Sequence, residues 1–169
     1  MTDAADGPAV DPERFAAGLA KYREVYGDDA IAFGHGDSAF FDLMMAQLFG
    51  EIWTRPGLAN EQRRLVVMGV LAAQGKWDTL QIQMSRALAT GELDADAVRE
   101  LAIHLIQYVG YPSSSDLFRV SETAIALHTQ ARGAAAGDGD EEERGGGQQG
   151  GHGRAHSGFL RRLVRGGTL

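Results

Sequence analysis

Residues 51–55 contain three side chains that could act together on a small acid. Glu51 could donate or accept a proton, Trp53 is a large apolar neighbour, and Arg55 could bind a carboxylate through two parallel hydrogen bonds. Pro56 pushes Arg55 into an extended conformation, so the guanidinium is expected on a stiff corner. The carboxylate that Arg55 binds could belong to a substrate or to Glu51.

Glu51 is predicted to lie at the end of an otherwise apolar helical face. A carboxylate in that position must find a partner or take a raised pKa. It could therefore serve as a buried acid or base, or it could pair with Arg55 or with an arginine of the next helix. Both interpretations remain open. The other residues of this face are Phe40, Leu43, Met44, Gln47 and Leu48.

His104 is the second candidate for proton transfer. Glu100, His104 and Tyr108 are spaced i, i+4 and i+8, so they are predicted to form one strip along a helix. Glu100 could orient the imidazole, and Tyr108 could bond to it. The alternative is a core histidine satisfied by its neighbours, because the inward face is predicted to include Val98, Leu101, Leu105 and Tyr108.

Gln83 is predicted at the rim of another helix face, beside Leu80 and Met84. A glutamine there can hydrogen-bond to a ligand but cannot transfer a proton at neutral pH.

The elements that must position these residues are helices. Capping residues, glycine stops and apolar spacing indicate about six of them, and no stretch alternates as a strand would. The sequence therefore predicts an all-α helical bundle. The predicted limits, from cap to stop, are Asp11 to Gly27, Asp37 or Ser38 to Glu51, Asn60 to Gly75, Asp78 to Gly91, Asp94 to Gly110, and Ser113–Ser115 to Arg132.

The apolar run from Leu65 to Ala73 is too short to span a bilayer. It carries no charge, so its helix is expected to be buried all round. A domain of this size rarely buries one helix so fully, which favours packing between subunits.

Composition excludes several classes of function. The net charge of −7 argues against nucleic-acid binding, and no transmembrane segment or secretory signal is visible, so a cytoplasmic location is expected. The chain has no cysteine, which excludes disulfides, thiol catalysis and cysteine-based zinc sites, and its histidines do not suggest a metal site. Residues 1–10 are expected to be flexible, 11–132 to form the folded domain, and 133–169 to be a disordered glycine-rich tail.

The region from about Phe40 to Ala131 resembles the carboxymuconolactone decarboxylase family, within the alkylhydroperoxidase D-like superfamily. The string GEIWTRPGL at residues 50–58 is the most specific part of the match. The remaining matching residues are Arg64, Leu65, Arg86, Ala87, Leu88, Gly91, Glu100, His104, Tyr108, Gly110 and Pro112.

The resemblance implies a cofactor-free enzyme, assembled as a homotrimer or homohexamer, that decarboxylates a small carboxylated lactone or oxo-acid in aromatic catabolism. It implies that Arg55 binds the substrate carboxylate and that Glu51 and His104 handle protons. Trp53, Gln83 and Tyr108 would contact the substrate.

One position departs from the family. Where the decarboxylases carry a histidine in a stretch similar to Leu-His-Val, this chain has Gln83 between Ile82 and Met84. This favours the alternative, a non-catalytic family member that binds a small ligand or serves in assembly. The joint presence of Glu51, Arg55 and His104 favours the enzyme, and requires that the three converge on one cavity. The peroxidases of the superfamily need a cysteine pair, and here Lys76 and Thr79 occupy those positions, so thiol peroxidase activity is not expected.

Overall fold

The computed structural model describes residues 10–144, with side chains through residue 134, and confirms the all-α class. No strand occurs among these residues, and none of their helices is long and apolar enough to cross a bilayer. The described chain divides into two compact units, one ending at Asn60 and one beginning at Glu61. The helices are α1 (Pro12–Tyr26), α2 (Ala39–Leu43), α3 (Asn60–Ala73), α4 (Trp77–Thr90), α5 (Ala95–Val109) and α6 (Ser114–Arg144).

Most helix limits that the capping residues predicted agree with the structure. Asp11 accepts hydrogen bonds from the backbone N–H groups of Glu13 and Arg14, and α1 stops at Gly27 as predicted. Ser38 caps α2, and Asp94 caps α5 by accepting from the N–H of Ala97 at 2.8 Å. One start differs: α4 begins at Trp77, before the Asp78 that was predicted to begin it.

In the first unit, α2 continues directly into a π-helical segment, Met44–Ile52, in which backbone bonds span five residues. The buried side chains here are Phe41, Met45, Ala46, Phe49 and Trp53. The sequence predicted a different face as the inward one. Phe40, on that predicted face, is 78% exposed, and Leu48 and Glu51 are also exposed.

Two glycines allow α1 to approach the π-helical segment at backbone distance. A Cβ on Gly18 would lie 1.9 Å from the carbonyl oxygen of Met45. A Cβ on Gly50 would lie 3.2 Å from that same oxygen and 3.5 Å from the carbonyl oxygen of Arg14. None of these contacts involves a side chain that could move aside, and the 1.9 Å distance shows that the crossing depends on the absence of a Cβ at Gly18.

Aromatic rings fill the space around this crossing. Tyr22 of α1 packs edge-on against Phe41 and Phe49, with ring centroids 5.9 and 5.0 Å away. The Tyr22 hydroxyl donates to the carbonyl of Ile31 at 2.8 Å, which holds the loop after α1. Burial, together with nearby Tyr26, raises the pKa of Tyr22.

In the second unit, buried residues lie on several sides of α4. The core formed here consists of Met68, Ala72, Leu80, Met84, Ala87, Leu88, Val98, Leu105, Leu117, Val120, Ala124 and Ile125. The sequence expected α3 to be buried all round, but in the single chain α3 buries only one side, with Met68 and Ala72. Leu65, Val66 and Val70 on its other side are 42–63% exposed.

The last helix is longer than the sequence predicted. It was expected to end near Arg132 but continues to Arg144. Residues 134–136 are alanines, the best helix formers, and they carry the helix past Gly133. The remainder of the predicted tail, 145–169, and nearly all of the predicted flexible lead-in, 1–9, lie outside the described residues. The domain limits 11–132 and the cytoplasmic location stay predictions.

We expect Gly18→Ala to lower the free energy of unfolding by about 3 kcal/mol, because the added methyl group meets backbone that cannot yield without separating the helices. Urea unfolding of both variants at one pH measures this. Gly69→Ala is the matched control: Gly69 is also helical, no atom would lie within 4 Å of its Cβ, and a gain of roughly 0.5–1 kcal/mol is expected. Equal effects at the two positions would contradict the close-contact account.

Candidate active site

Glu51 forms an ion pair with Arg14 of α1. The close approach of α1 to the π-helical segment brings these two side chains together, and Arg14 Nη2 donates to Glu51 Oε1. The expected partners were Arg55 or an arginine of the next helix, whereas the structure pairs Glu51 with the preceding helix. The two side chains are 55% and 53% exposed. The prediction that Glu51 is buried is therefore wrong in the single chain, because the buried face of the segment is formed by Met45, Ala46 and Phe49 and does not include Glu51.

Arg55 is exposed in the turn that follows the π-helical segment, as the proline after it predicted. The hydroxyl of Thr54 donates to the carbonyl of Gly50 at 2.7 Å and fastens the start of this turn to the segment. Trp53 is 6% exposed and stacks on Phe49 with centroids 6.1 Å apart. The turn is thus anchored on a buried indole, and Arg55 projects from that anchored base.

In the second unit, Gln83 is fully buried, which corrects its predicted place at the rim. Its Oε1 accepts a hydrogen bond from Arg64 Nη1 at 2.6 Å. Because a guanidinium has only donors, the atom that faces it must be the amide oxygen. This contact therefore fixes which way the carboxamide of Gln83 points.

Arg64 is itself buried, with 1% of its surface exposed, and is paired with Glu92 in the turn after α4. Arg64 Nε donates to Glu92 Oε2 at 2.5 Å, and Arg64 Nη2 donates to Glu92 Oε1 at 3.3 Å. This two-point geometry is the strong form of the arginine–carboxylate pair. The Arg64 cluster, meaning Arg64, Gln83 and Glu92, contains the two most deeply buried polar side chains of the described residues, Arg64 and Gln83.

Sequence reasoning missed the part played by Glu92. Arg64 stood out as a charge beside an apolar run, but its partner is 28 residues away, and no local pattern marks such a pair. One signal was available. Arg64, Met68 and Ala72 share a helix face by their spacing of four, so a buried Met68 implies a buried Arg64 that needs a carboxylate.

His104 and Tyr108 lie beside each other on α5, with ring centroids 5.0 Å apart. This confirms that the two residues share a strip. The strip is exposed, however, and Tyr108 is 77% exposed, so its predicted place on the inward face is wrong. The buried face of α5 is formed by Val98, Ala102 and Leu105. The alternative of a satisfied core histidine is therefore wrong as well.

The candidate residues are divided between the units. Glu51, Trp53 and Arg55 belong to the first, and Gln83, His104 and Tyr108 belong to the second. Within the first, Glu51 lies at the end of the π-helical segment and Arg55 in the turn that follows it. Within the second, His104 adjoins Tyr108 while Gln83 is held by Arg64. That Glu51, Arg55 and His104 converge on one cavity stays a prediction.

A second ion pair of the second unit joins α5 to α6. Arg99 donates to both carboxylate oxygens of Glu122, at 2.8 and 3.0 Å, and these hydrogen bonds lower the pKa of Glu122. The pair lies at the surface, so it serves as a contrast to the buried Arg64 cluster rather than as part of the candidate site.

The family model described as the carboxymuconolactone decarboxylase family matches residues 38–123. The chain belongs to this family. The matched span includes every candidate residue above and the whole Arg64 cluster. Arg14, the partner of Glu51, lies outside it, so this ion pair is made partly by a helix that the family model does not cover.

Two relatives are named for decarboxylation. One is 4-carboxymuconolactone decarboxylase of Acinetobacter baylyi, 30% identical over 117 residues, which cover 66% of this chain and 87% of the relative. The other is nitrosuccinic acid decarboxylase of Metarhizium robertsii, 30% identical over 84 residues, covering 50% of this chain and 58% of the relative. No solved structure gives a significant match. Family and relatives together support a decarboxylase-like function.

Glu92→Ala tests the Arg64 cluster. We expect it to lower the free energy of unfolding by about 3–5 kcal/mol, because it leaves a buried guanidinium without its carboxylate. The matched control is Asp116→Ala, which removes a carboxylate from an exposed arginine pair and should cost less than about 1 kcal/mol. Chemical unfolding measures the free energy of unfolding of both variants. Equal losses of stability would show that burial does not set the strength of the Arg64 pair.

Proposed function

We propose that this protein is a cofactor-independent carboxy-lyase for a small acid, with a carboxylated lactone or related oxo-acid of aromatic catabolism as the substrate class. One observation carries the proposal. The two relatives are each 30% identical to this chain, are named for different acids, and share in their names the loss of a carboxyl group. The reaction type is therefore the part of the function that a distant family member is expected to keep.

The reaction has three physical requirements. When carbon dioxide leaves, an electron pair stays on carbon, and the substrate's own conjugated carbonyl group can take it up. The protein must then hold the carboxylate in place, stabilise the developing negative charge, and return a proton to carbon. The first requirement calls for a cation and the third for a proton donor, and the chain offers candidates for both.

We assign the carboxylate to Arg55, whose place beside a proline and an anchored indole suits two-point binding. Glu51 and His104 are the proposed proton-handling groups. Glu51 is oriented by Arg14, and the exposed imidazole of His104 can exchange protons with solvent. Trp53 and Tyr108 would offer aromatic contacts. Gln83, which the resemblance places at the substrate, would affect the site indirectly, through its hydrogen bond with Arg64.

A second candidate function is binding without catalysis. It is favoured by the state of Gln83, whose carboxamide has no proton to transfer at neutral pH and whose oxygen is bonded to Arg64. If this position must supply a proton, the chain would bind its acid and leave it intact.

The proposal predicts carbon dioxide release from 4-carboxymuconolactone or nitrosuccinate by the purified full chain. Arg55→Ala should lower kcat/KM by about 10- to 100-fold, which corresponds to the loss of a charge-assisted hydrogen-bonded pair. Arg119→Ala, an exposed arginine on α6, is the control and should leave turnover unchanged. Release of carbon dioxide is followed directly, with each acid alone as the blank.

Two outcomes would count against the proposal. Saturable binding of both acids without carbon dioxide release would favour the non-catalytic alternative. Full turnover by Arg55→Ala would keep the carboxy-lyase but remove Arg55 from the binding of its substrate.

We also propose that the protein works as a homo-oligomer, a trimer or hexamer, and that the exposed apolar side of α3 is the contact between copies. Leu65, Val66 and Val70 form this side, and the helix carries no charge from Leu65 to its end. Apolar area of this kind is buried between subunits in stable oligomers.

Val66→Lys should therefore shift the protein to smaller assemblies in analytical ultracentrifugation, because it places a charge on the proposed contact. Its helix content should be unchanged, since Val66 is 63% exposed within one chain. Ile31→Lys, at a loop position that is 53% exposed, is the control and should leave the mass unaltered. An unchanged mass for Val66→Lys would place the contact elsewhere.

A further inference from the structure

Arg86 on α4 is a partly buried cation that the reaction scheme above does not use. Its Nε is shielded from solvent and has no hydrogen-bond acceptor among the described residues. None of the ion pairs found between residues 10 and 134 includes its guanidinium. A donor on a charged group that is removed from water without an acceptor is costly, so its presence calls for an explanation.

The amide and the carboxylate nearest to Arg86 along the chain are already bonded to another arginine. Gln83 lies one helical turn before Arg86, and its amide oxygen accepts from Arg64. Glu92, in the turn that follows α4, uses both carboxylate oxygens on Arg64. The single described carboxylate of this cluster thus balances Arg64, and the charge of Arg86 is left without a counterpart there.

An uncompensated, partly buried guanidinium is suited to an anion. Its Nε–H and one terminal N–H point in the same direction and match the two oxygens of a carboxylate. A spherical anion such as chloride would use this edge less well, since the fork geometry fits a group that offers two oxygens.

We propose that Arg86 is a carboxylate-binding residue, and that it takes a carboxylate which stays on the ligand after decarboxylation. The choice of ligand rests on the proposed function. Nitrosuccinic acid, for which one relative is named, is a dicarboxylic acid, so one of its carboxylates remains when the other leaves. A protein acting on such diacids needs a cation for the carboxylate that remains, and Arg86 has an unused donor edge to supply it.

Succinate is the probe, because it has both carboxylates but no group that could take up an electron pair, so it binds without reacting. Isothermal titration of the full chain with succinate and with butyrate compares a diacid with a monoacid. We expect Arg86→Gln to weaken succinate binding at least tenfold and to change butyrate binding less. The succinate affinity of Arg86→Lys should fall between those of the unaltered protein and of Arg86→Gln, since lysine keeps the charge and loses the planar fork. Arg119→Gln is the matched control and should bind succinate as the unaltered protein does.

Thermal unfolding without ligand gives an independent readout. Arg86→Gln should melt at the same temperature as the unaltered protein or a few degrees higher, because it removes a shielded charge that has no partner. A lower melting temperature, or a smaller assembly in solution, would show that Arg86 has a structural partner and would overturn the proposal. Unchanged succinate affinity in Arg86→Gln, or no saturable succinate binding by the unaltered protein, would overturn it as well. Since succinate is not decarboxylated, these results stand whether or not the carboxy-lyase is confirmed.

Discussion

The second unit depends on one buried positive charge. Arg64 is almost wholly removed from water, and a guanidinium in that place is tolerated only if its donors are met by acceptors of good geometry. Glu92 meets two of them and Gln83 meets a third. The same contacts join α3, α4 and the turn that follows α4, so three parts of the chain are oriented by a single side chain. The apolar core around Met68 and Leu80 packs without directional contacts, whereas the hydrogen bonds of the Arg64 cluster fix the relative orientation of these elements.

The burial of Arg64 gives Gln83 a structural role. By type, the residue is a hydrogen-bonding group that could contact a ligand. By its position it is a support for Arg64, and its amide is held in one orientation by a donor-only partner. The replacement of a histidine at this position, relative to the pattern that the sequence resembles, is therefore accompanied by a buried cation. Gln83 and Arg64 have to be considered as a pair, and a substitution at either position alone leaves the other poorly satisfied.

The sequence predicted local features well and inward faces unevenly, since Leu80, Met84, Val98 and Leu105 are buried as expected, whereas Phe40, Glu51 and Tyr108 are exposed. Asp11, Asp94 and the glycines that end the helices act on their immediate neighbours, so their effects were readable without tertiary structure. The family could be recognised because GEIWTRPGL is a contiguous string. The inward face around Glu51 was mistaken because this stretch has apolar residues on two faces, the exposed Phe40, Leu43 and Leu48 and the buried Phe41, Met45 and Phe49. The exposure of Tyr108 and the Arg64–Glu92 pair depend on contacts between distant residues, which periodicity cannot reveal.

The π-helical segment has a consequence for how this region can diverge. Its backbone bonds span five residues, and Glu51 lies where its carboxylate pairs with Arg14 of α1. Loss of a single residue here would restore ordinary α-helical winding and rotate everything beyond it, which would move the indole of Trp53 out of the core and carry the carboxylate away from α1. Exchange of one apolar residue for another leaves that winding intact. The length of residues 44–52 is thus under tighter control than their identity, and homologues are expected to differ here by substitution and to place their insertions and deletions in the loops on either side.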